Sequence, residues 1–429
     1  MTLSGQYVTR VIFVVPGFCE FGYFYWAGPA GVFRLSRGWQ RRKKRDMEKY
    51  TVKNGKALRY GFTTGSCATA AAAAAAEMLL GGMDVPRAAI TLPSGEQVTF
   101  DIENTQRQKD FVRCSVTKDG GDDPDVTHGA GIFARVSFSE RPGVVIRGGE
   151  GVGVVTAKGL QIPPGEAAIN PVPRRMIREN LRRVAEARGF DLAERGLDVE
   201  ISVPGGDEIA KKTYNPRLGI VGGISILGTS GVVDPMSEKA LIDTIKVVVD
   251  RQHAKDPEHI LIAPGNYGRD FCREELGLDI ENAVPVSNYI GEALDYIRYK
   301  GFKNILFVGH TGKLIKTAAG IMNTHSSYAD GRMEIIAVHS ALWGADSETV
   351  RAIMGCVTTD DAFDLIKDKP YYRAARDSIL AKVLWHLDFR LKGEAAIEVV
   401  MFTSDRTHII KSQGADDMIA YFQSQQEGE

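Results

Sequence analysis

Between Lys118 and His128 the chain crowds Asp119, Asp122, Asp123, Asp125 and His128 into one loop with Gly120, Gly121 and Pro124. Four carboxylates beside an imidazole suit three tasks. They can hold a hard cation. They can handle a substrate or move a proton, because like charges push one another's pKa upward. Or they form a self-capped turn, since Asp, Gly and Pro are turn residues. The spacing is not an EF-hand: Pro124 stands where ligand spacing needs freedom, and no twelfth-position Glu follows. Asp119, Asp122 and His128 are the candidates for proton transfer, Asp123 and Asp125 for substrate contact.

Three glycine-bearing turns could hold a small ligand. Gly228, Thr229, Ser230 and Gly231 can offer backbone N–H groups to a carboxylate or phosphate. Gly265, Asn266, Tyr267 and Gly268 make a small loop with one aromatic ring. His310, Thr311, Gly312 and Lys313 put an imidazole and an ammonium at a strand-to-helix turn. Turns use Gly routinely, so each loop alone also reads as structural; together they form a pocket. The G-x-G-x-x-G fingerprint with a following acid is absent from them, which argues against a dinucleotide.

Two helix starts add charge or donors. Thr63, Thr64 and Ser66 precede Cys67 and a run of alanines to Ala76. Hydroxyl residues cap such a helix, and its free first-turn N–H groups attract anions. The competing reading is a well-capped core helix. Asn170-Pro-Val-Pro-Arg-Arg175 opens a second helix and sets Arg174 and Arg175 near its start, suited to carboxylates or simply to solvent. Gly148-Gly-Glu-Gly-Val-Gly153 is a glycine-rich hairpin or a close-approach loop.

These groups need a scaffold, and 429 residues exceed one compact core, so two domains are expected. With 44% hydrophobic and 25% charged residues the composition is globular. A net charge of −1 gives no bulk field for nucleic acid or anionic membrane. No apolar run is long enough to span a bilayer. The five cysteines are scattered and form no CxxC pair, so neither a disulfide framework nor a protein metal site is expected, and a reducing cytoplasm fits. A homo-oligomer is compatible with all of this.

Residues 1–46 are aromatic and Gly-rich, then basic at Arg41-Arg-Lys-Lys-Arg45, the reverse of a signal peptide. They are expected to be a non-native or disordered leader, with Met47 as the start. Residues 47–215 carry short alternating strands, a turn at Pro93-Ser-Gly-Glu96, and a helix from Pro171 to Arg188. That pattern predicts an α+β domain, with the Ala-rich helix on a mostly antiparallel sheet. Residues 216–429 alternate apolar strands with helices, which predicts a doubly wound α/β domain with a mostly parallel sheet. Its strands are expected at 219–227, 260–263, 283–286, 304–310 and 396–402, with the last as an antiparallel edge. Ligands bind at the carboxyl ends of such strands, where the three glycine turns then fall.

Five blocks, in order, resemble one family. They are Leu58-Arg-Tyr-Gly-Phe-Thr-Thr-Gly-Ser-Cys-Ala-Thr-Ala70, Lys118-Asp-Gly-Gly-Asp-Asp-Pro-Asp-Val-Thr-His128, Gly148-Gly-Glu-Gly-Val-Gly-Val-Val-Thr156, Gly165-Glu-Ala-Ala-Ile-Asn-Pro-Val-Pro-Arg-Arg175, and Thr213 to Gly231. The chain is similar, from about Tyr60 onward, to the CbiD family, cobalt-precorrin-5B (C-1)-methyltransferases of anaerobic cobalamin biosynthesis. The resemblance implies methyl transfer from S-adenosylmethionine to C-1 of cobalt-precorrin-5B, giving cobalt-precorrin-6A, with cobalt arriving inside the macrocycle. It further implies the methyl donor on the three glycine turns. The macrocycle would lie between domains, facing Thr63, Thr64, Ser66, the acidic loop and the Arg174/Arg175 pair. One block departs mildly, with Gly120-Gly-Asp where Ala-Gly-Asp is the family pattern. Two other classes stay open: a nucleotide-dependent phosphotransferase using Gly228–Gly231 and Lys313, although it lacks the G-x-x-x-x-G-K-[ST] loop, and a non-catalytic tetrapyrrole-binding protein of the corrin pathway.

Overall fold

The computed structural model describes residues 50–426, apart from positions 54, 280 and 282. The leader expected at 1–46 lies outside the described residues. The alanine run becomes an 18-residue helix, Thr64–Gly81, closed by Gly82 in the left-handed conformation (φ 73°). Every residue from Thr64 to Ala76 is buried. A helix that is apolar all round has to be covered on all sides. Here the strands Phe111–Thr117 and Gly131–Ser139 cover one flank and the helix Pro171–Ala187 the other. Methyl-sized side chains let these neighbours approach closely.

The sheet beneath that helix runs in the order Glu103–Arg107, Phe111–Thr117, Gly131–Ser139, Gly196–Ser202, Val144–Gly148. Its first three pairings are antiparallel and the last is parallel. Cys114, Ala134 and Ile201 sit in register on the covered face. The hairpin Arg87–Thr91 with Gln97–Asp101 flanks it. It is tied to the Pro171–Ala187 helix by Asn180 Oδ1, which accepts from the Thr91 N–H at 3.0 Å.

A second five-stranded sheet follows, in the order Ala283–Pro285, His259–Ala263, Asn304–His310, Ala396–Phe402, Ile409–Lys411. The first three pairings are parallel. Its two faces bury different helices, as a period-2 strand demands. Ile260, Ile262, Ile305, Phe307, Val399 and Met401 face a cluster containing Leu294, Ile315, Ile336, Val383 and Leu387. Leu261, Ala263, Leu306, Val308, Val400 and Phe402 face Phe271, Cys272, Ile419 and Phe422.

Two sequence expectations are corrected. The Ala396–Phe402 strand is not an edge: it is parallel to Asn304–His310, and the short Ile409–Lys411 strand is the antiparallel edge. Its almost continuous burial is the mark of an interior parallel strand. The apolar run 219–227 is not a strand of the parallel sheet at all. Ile220–Val221 pairs with Val154–Val155, Ile224 bridges to Val152, and Ile226 bridges to Ile169. Val232–Val233 then pairs with Gly61–Phe62. A short apolar run shows that a segment is buried, without showing which core buries it. Residues 216–233 therefore complete the first layer rather than open the second.

Candidate functional site

That correction carries the Gly228–Gly231 turn to the cap of the Ala-rich helix. Leu227 C=O accepts from the Gly65 N–H at 2.9 Å, and Gly231 C=O accepts from the Thr63 N–H at 3.2 Å. Ser66 Oγ donates to Gly231 C=O at 2.6 Å. Thr63 Oγ1 accepts from the Ser66 N–H at 3.2 Å. Thr64 Oγ1 accepts from the Leu227 N–H at 2.9 Å. Thr63, Thr64 and Ser66 are 6%, 4% and 0% exposed, and the Thr63, Gly65 and Ser66 N–H groups left open by the sequence are already satisfied inside the protein. Gly228 has no room for a side chain: a Cβ there would sit 2.2 Å from Thr63 Oγ1. Thr229 and Ser230 are exposed, and Ser230 Oγ bonds only its own turn, donating to Val232 C=O at 2.9 Å. The anion-cradle expectation for Thr63–Ser66 and Gly228–Gly231 gives way to a closed, self-capped junction.

The acidic loop is also tied down. Arg59 grips Asp119 with both terminal nitrogens, at 2.5 and 2.8 Å. Asp122 accepts from the Arg59 N–H at 2.6 Å, and Asp123 from the Met236 N–H at 2.8 Å. Asp125 accepts from Lys118 Nζ at 2.5 Å and from the Thr127 hydroxyl at 2.6 Å. Crowding therefore does not lift Asp119 or Asp125 as expected. The Arg59 hydrogen bonds hold Asp119 below its ordinary value against the opposing effect of burial. Burial pushes Asp125 up, yet the Lys118 and Thr127 hydrogen bonds outweigh it, and it too stays below its ordinary value. Both are fixed anions, which removes the shared-proton role read for Asp119. His128 is exposed, and its Nδ1 accepts from the Gly120 N–H at 3.1 Å, leaving Nε2 toward solvent. Among the described residues no group of three or more His, Cys, Asp or Glu is arranged to hold a metal ion.

Arg174 and Arg175 separate in role. Arg174 Nε donates to Ile169 C=O at 2.8 Å and Nη2 to Ala167 C=O at 3.2 Å, so it braces the loop before its helix instead of awaiting a carboxylate. Arg175 is exposed, with Glu179 at 4.0 Å.

The other two glycine turns meet. They leave the carboxyl ends of adjacent parallel strands, His259–Ala263 and Asn304–His310. The chain next adds Ala283–Pro285 on one side of His259–Ala263, then crosses to place Asn304–His310 on the other. A crevice opens where strand order reverses in this way. Gly265 begins the helix Gly265–Glu274 with φ 74°, and an added Cβ would lie 3.5 Å from Lys313 Nζ. Tyr267, 72% exposed, holds its ring 6.0 Å from the His310 ring. Asn266 is exposed beside it. Thr311 is buried, its hydroxyl donating to Phe402 C=O at 2.9 Å.

His310 has a defined tautomer. Its Nδ1 accepts from the Gly312 N–H at 3.0 Å, so the neutral ring carries its proton on Nε2, facing Ser404 Oγ at 2.9 Å. Burial lowers its pKa below the ordinary 6.5, with Asp360 opposing and Arg332 and Lys313 reinforcing. Lys313 is half-buried and is likewise lowered, by burial and then by Lys316. Among the described residues Lys313 has no carboxylate within ion-pair distance. The site is thus a neutral imidazole, one unneutralised ammonium, an open aromatic face and a glycine turn. Ser404 and Asp360 were not read from the sequence. Ser404 follows the strand Ala396–Phe402, and the carboxyl-end rule applied to that strand would have found it.

Comparison with known proteins agrees in extent. The family model described as CbiD matches residues 51–235, and that described as CbiD, C-terminal domain, matches residues 323–413. A cobalt-precorrin-5B C(1)-methyltransferase of Ruminiclostridium cellulolyticum is 51% identical over 379 residues, covering 87% of this chain and 97% of that protein. One from Alkaliphilus metalliredigens is 42% identical over 383 residues, covering 86% of this chain and 100% of its own. A solved structure of cobalamin biosynthesis protein CbiD from Archaeoglobus fulgidus is 32% identical, covers 63% of this chain and 83% of its own, and has a TM-score of 0.35. With both family models matched in order and relatives aligned over nearly their whole length, the chain belongs to the CbiD family.

Proposed function

We propose that this chain transfers a methyl group from S-adenosylmethionine to C-1 of cobalt-precorrin-5B, a step of cobalamin biosynthesis. We further propose that the C-terminal part is a doubly wound domain that holds the donor at its strand-order reversal. The relatives' names support the reaction class. One observation carries the site: Gly265, Tyr267, His310 and Lys313 converge at adjacent carboxyl ends, with the ammonium unneutralised.

These residues fit the donor's chemistry. Tyr267 offers a flat face to an adenine ring. Lys313 and the N–H groups opening the Gly265–Glu274 helix suit its carboxylate. The bound donor supplies an electrophilic methyl on a positively charged sulfur. A second cation beside that sulfur would oppose binding, and burial keeps His310 uncharged. Ser404 and Gly312 fix the imidazole plane from both nitrogens, which gives the crevice a rigid wall. The chain's part is then to align the partners and exclude water, and alignment alone is worth about 7–11 kcal/mol of barrier at best. The fixed anions Asp119 and Asp125, together with exposed His128 and Arg175, face the macrocycle in this reading. His128 and Asp122 would handle any proton it exchanges.

The test is direct. Purified protein is incubated with methyl-labelled S-adenosylmethionine and cobalt-precorrin-5B. Label in the macrocycle, abolished by removing Lys313 and Tyr267 together, is the expected outcome. Label transfer that survives that double substitution moves the donor site elsewhere.

A further inference from the structure

Away from the donor turn, one buried cation keeps hydrogen-bond donors unmet. Arg269 lies on the Gly265–Glu274 helix and is 6% exposed. Its Nε and Nη2 atoms are buried and have no hydrogen-bond acceptor. Around it gather Tyr214, Arg217, Arg251 and Glu281, with Pro285 closing one wall. Glu281 is the nearest carboxylate, and it stops at 3.7 Å from Arg269 Nη2 and 3.9 Å from Arg217 Nε. Arg251 Nη1 is engaged by the Arg217 carbonyl. Two guanidiniums thus share one distant carboxylate, with Arg251 lining the same recess.

A buried charge with unmet donors is costly, and native structures keep such groups for a reason. The unmet atoms narrow the reason. Nε–H and Nη2–H form the side edge of a guanidinium, two parallel donors that match the two oxygens of a carboxylate. The place narrows it further. Arg269 is one helical turn from Gly265, about 6 Å along the axis. Pro285 pairs in register with Ala263, two residues before that glycine. The recess therefore borders the same strand ends as the proposed donor crevice.

We propose that Arg269, with Arg217 beside it, is a docking point for one carboxylate arm of the macrocyclic substrate. This rests on the methyltransferase reading and adds to it the group by which the ring is oriented. Acetate and propionate arms surround a precorrin, so gripping one arm fixes which ring carbon meets the methyl.

The test uses the full chain and calorimetric titration with three probes. They are S-adenosylhomocysteine, a cobalt corrinoid with free carboxylate arms, and the same corrinoid with its arms as primary amides. Wild type is expected to bind the acid form at least tenfold more tightly than the amide form. Arg269→Met and Arg217→Gln are each expected to erase most of that preference and leave S-adenosylhomocysteine binding within twofold. Arg217 is partly exposed, so its variant keeps the test decisive if Arg269→Met unfolds. Equal wild-type affinity for acid and amide overturns the inference, as does a preference that survives both substitutions. Weakened S-adenosylhomocysteine binding with the preference intact assigns the recess to the donor's carboxylate instead, and also overturns it. Tight S-adenosylhomocysteine binding in any of these outcomes leaves the methyltransferase reading standing. A wild type that binds none of the three probes overturns both.

Discussion

Two glycine turns of the same length, Gly228–Gly231 and Gly265–Gly268, end in opposite states. The first is filled by the protein. Its carbonyls and neighbouring hydroxyls satisfy the first turn of the Ala-rich helix, and its glycines exist because Thr63 and Ser66 press against them. The second is left open, with a lysine above it and an exposed ring beside it. The lesson is that glycine marks close approach without saying what approaches. Counting where the surrounding donors and charges go separates the two cases. The acidic loop belongs with the closed turn, since its carboxylates have partners. Lys313 and Arg269 belong with the open one.

The contrast is sharpest between two lysines. Lys118 is 2% exposed and paired with Asp125 at 2.5 Å, whereas Lys313 has no such partner. Lys118→Met leaves a mostly buried carboxylate without its cation and is expected to cost about 3–5 kcal/mol in urea unfolding. A loss under about 1 kcal/mol would break the idea that the acidic loop is structural. Adding Asp125→Asn to it is expected to restore part of the stability.

The glycines give the next largest effect. Gly228→Ala forces a Cβ against Thr63 at a left-handed φ of 140° and is expected to cost about 3 kcal/mol. Gly265→Ala meets only the mobile end of Lys313 and is expected to cost roughly 1 kcal/mol, from its left-handed backbone. Its main effect falls on S-adenosylhomocysteine affinity, weakened roughly tenfold, or about 1.4 kcal/mol. Equal stability losses at the two glycines would erase the distinction between closed and open turns.

Lys313→Met isolates function from folding. Removing a half-buried, unneutralised charge leaves thermal stability unchanged or slightly raised. S-adenosylhomocysteine binding is expected to weaken about tenfold, as for a lost charge-assisted hydrogen bond. Unchanged binding would show that the ammonium does not meet the donor.

Much of the framework was legible because it is local. Pro93-Ser-Gly-Glu96 announces its hairpin, and Pro171 with Gly189 brackets a helix that spans Pro171–Ala187. The parallel strands at 260, 283 and 304 were visible as apolar runs bounded by turns. What was not legible is long-range. The cap of the Ala-rich helix comes from residues 163 and 165 positions away, and the partner of Asp119 from 60. No window along the chain contains both halves of such a bond. The same holds for Arg269, one basic residue on a polar-looking helix until the fold buries it. The Ile409–Lys411 edge strand was too short to carry a period.

The smallest effect concerns His310, where the open turn meets pH. The folded site disfavours the imidazolium, chiefly through burial, so the folded pKa lies below the ordinary 6.5 while the unfolded chain keeps that value. As pH falls through 6.5, the unfolded chain takes up the proton first. The contribution of this group to stability is therefore present above 6.5 and declines as pH falls below it. Binding follows the same sign. Protonating Nδ1 breaks its acceptance of the Gly312 N–H and adds a second cation beside Lys313. S-adenosylhomocysteine affinity is then expected to stay flat from neutral pH to about 6.5 and to decline only below it, by less than about tenfold. His310→Asn keeps a polar side chain without the titration and is expected to lose that decline. Calorimetry across this range decides the matter, because an inflection above 6.5 in wild type requires a raised imidazole, which the burial of His310 opposes.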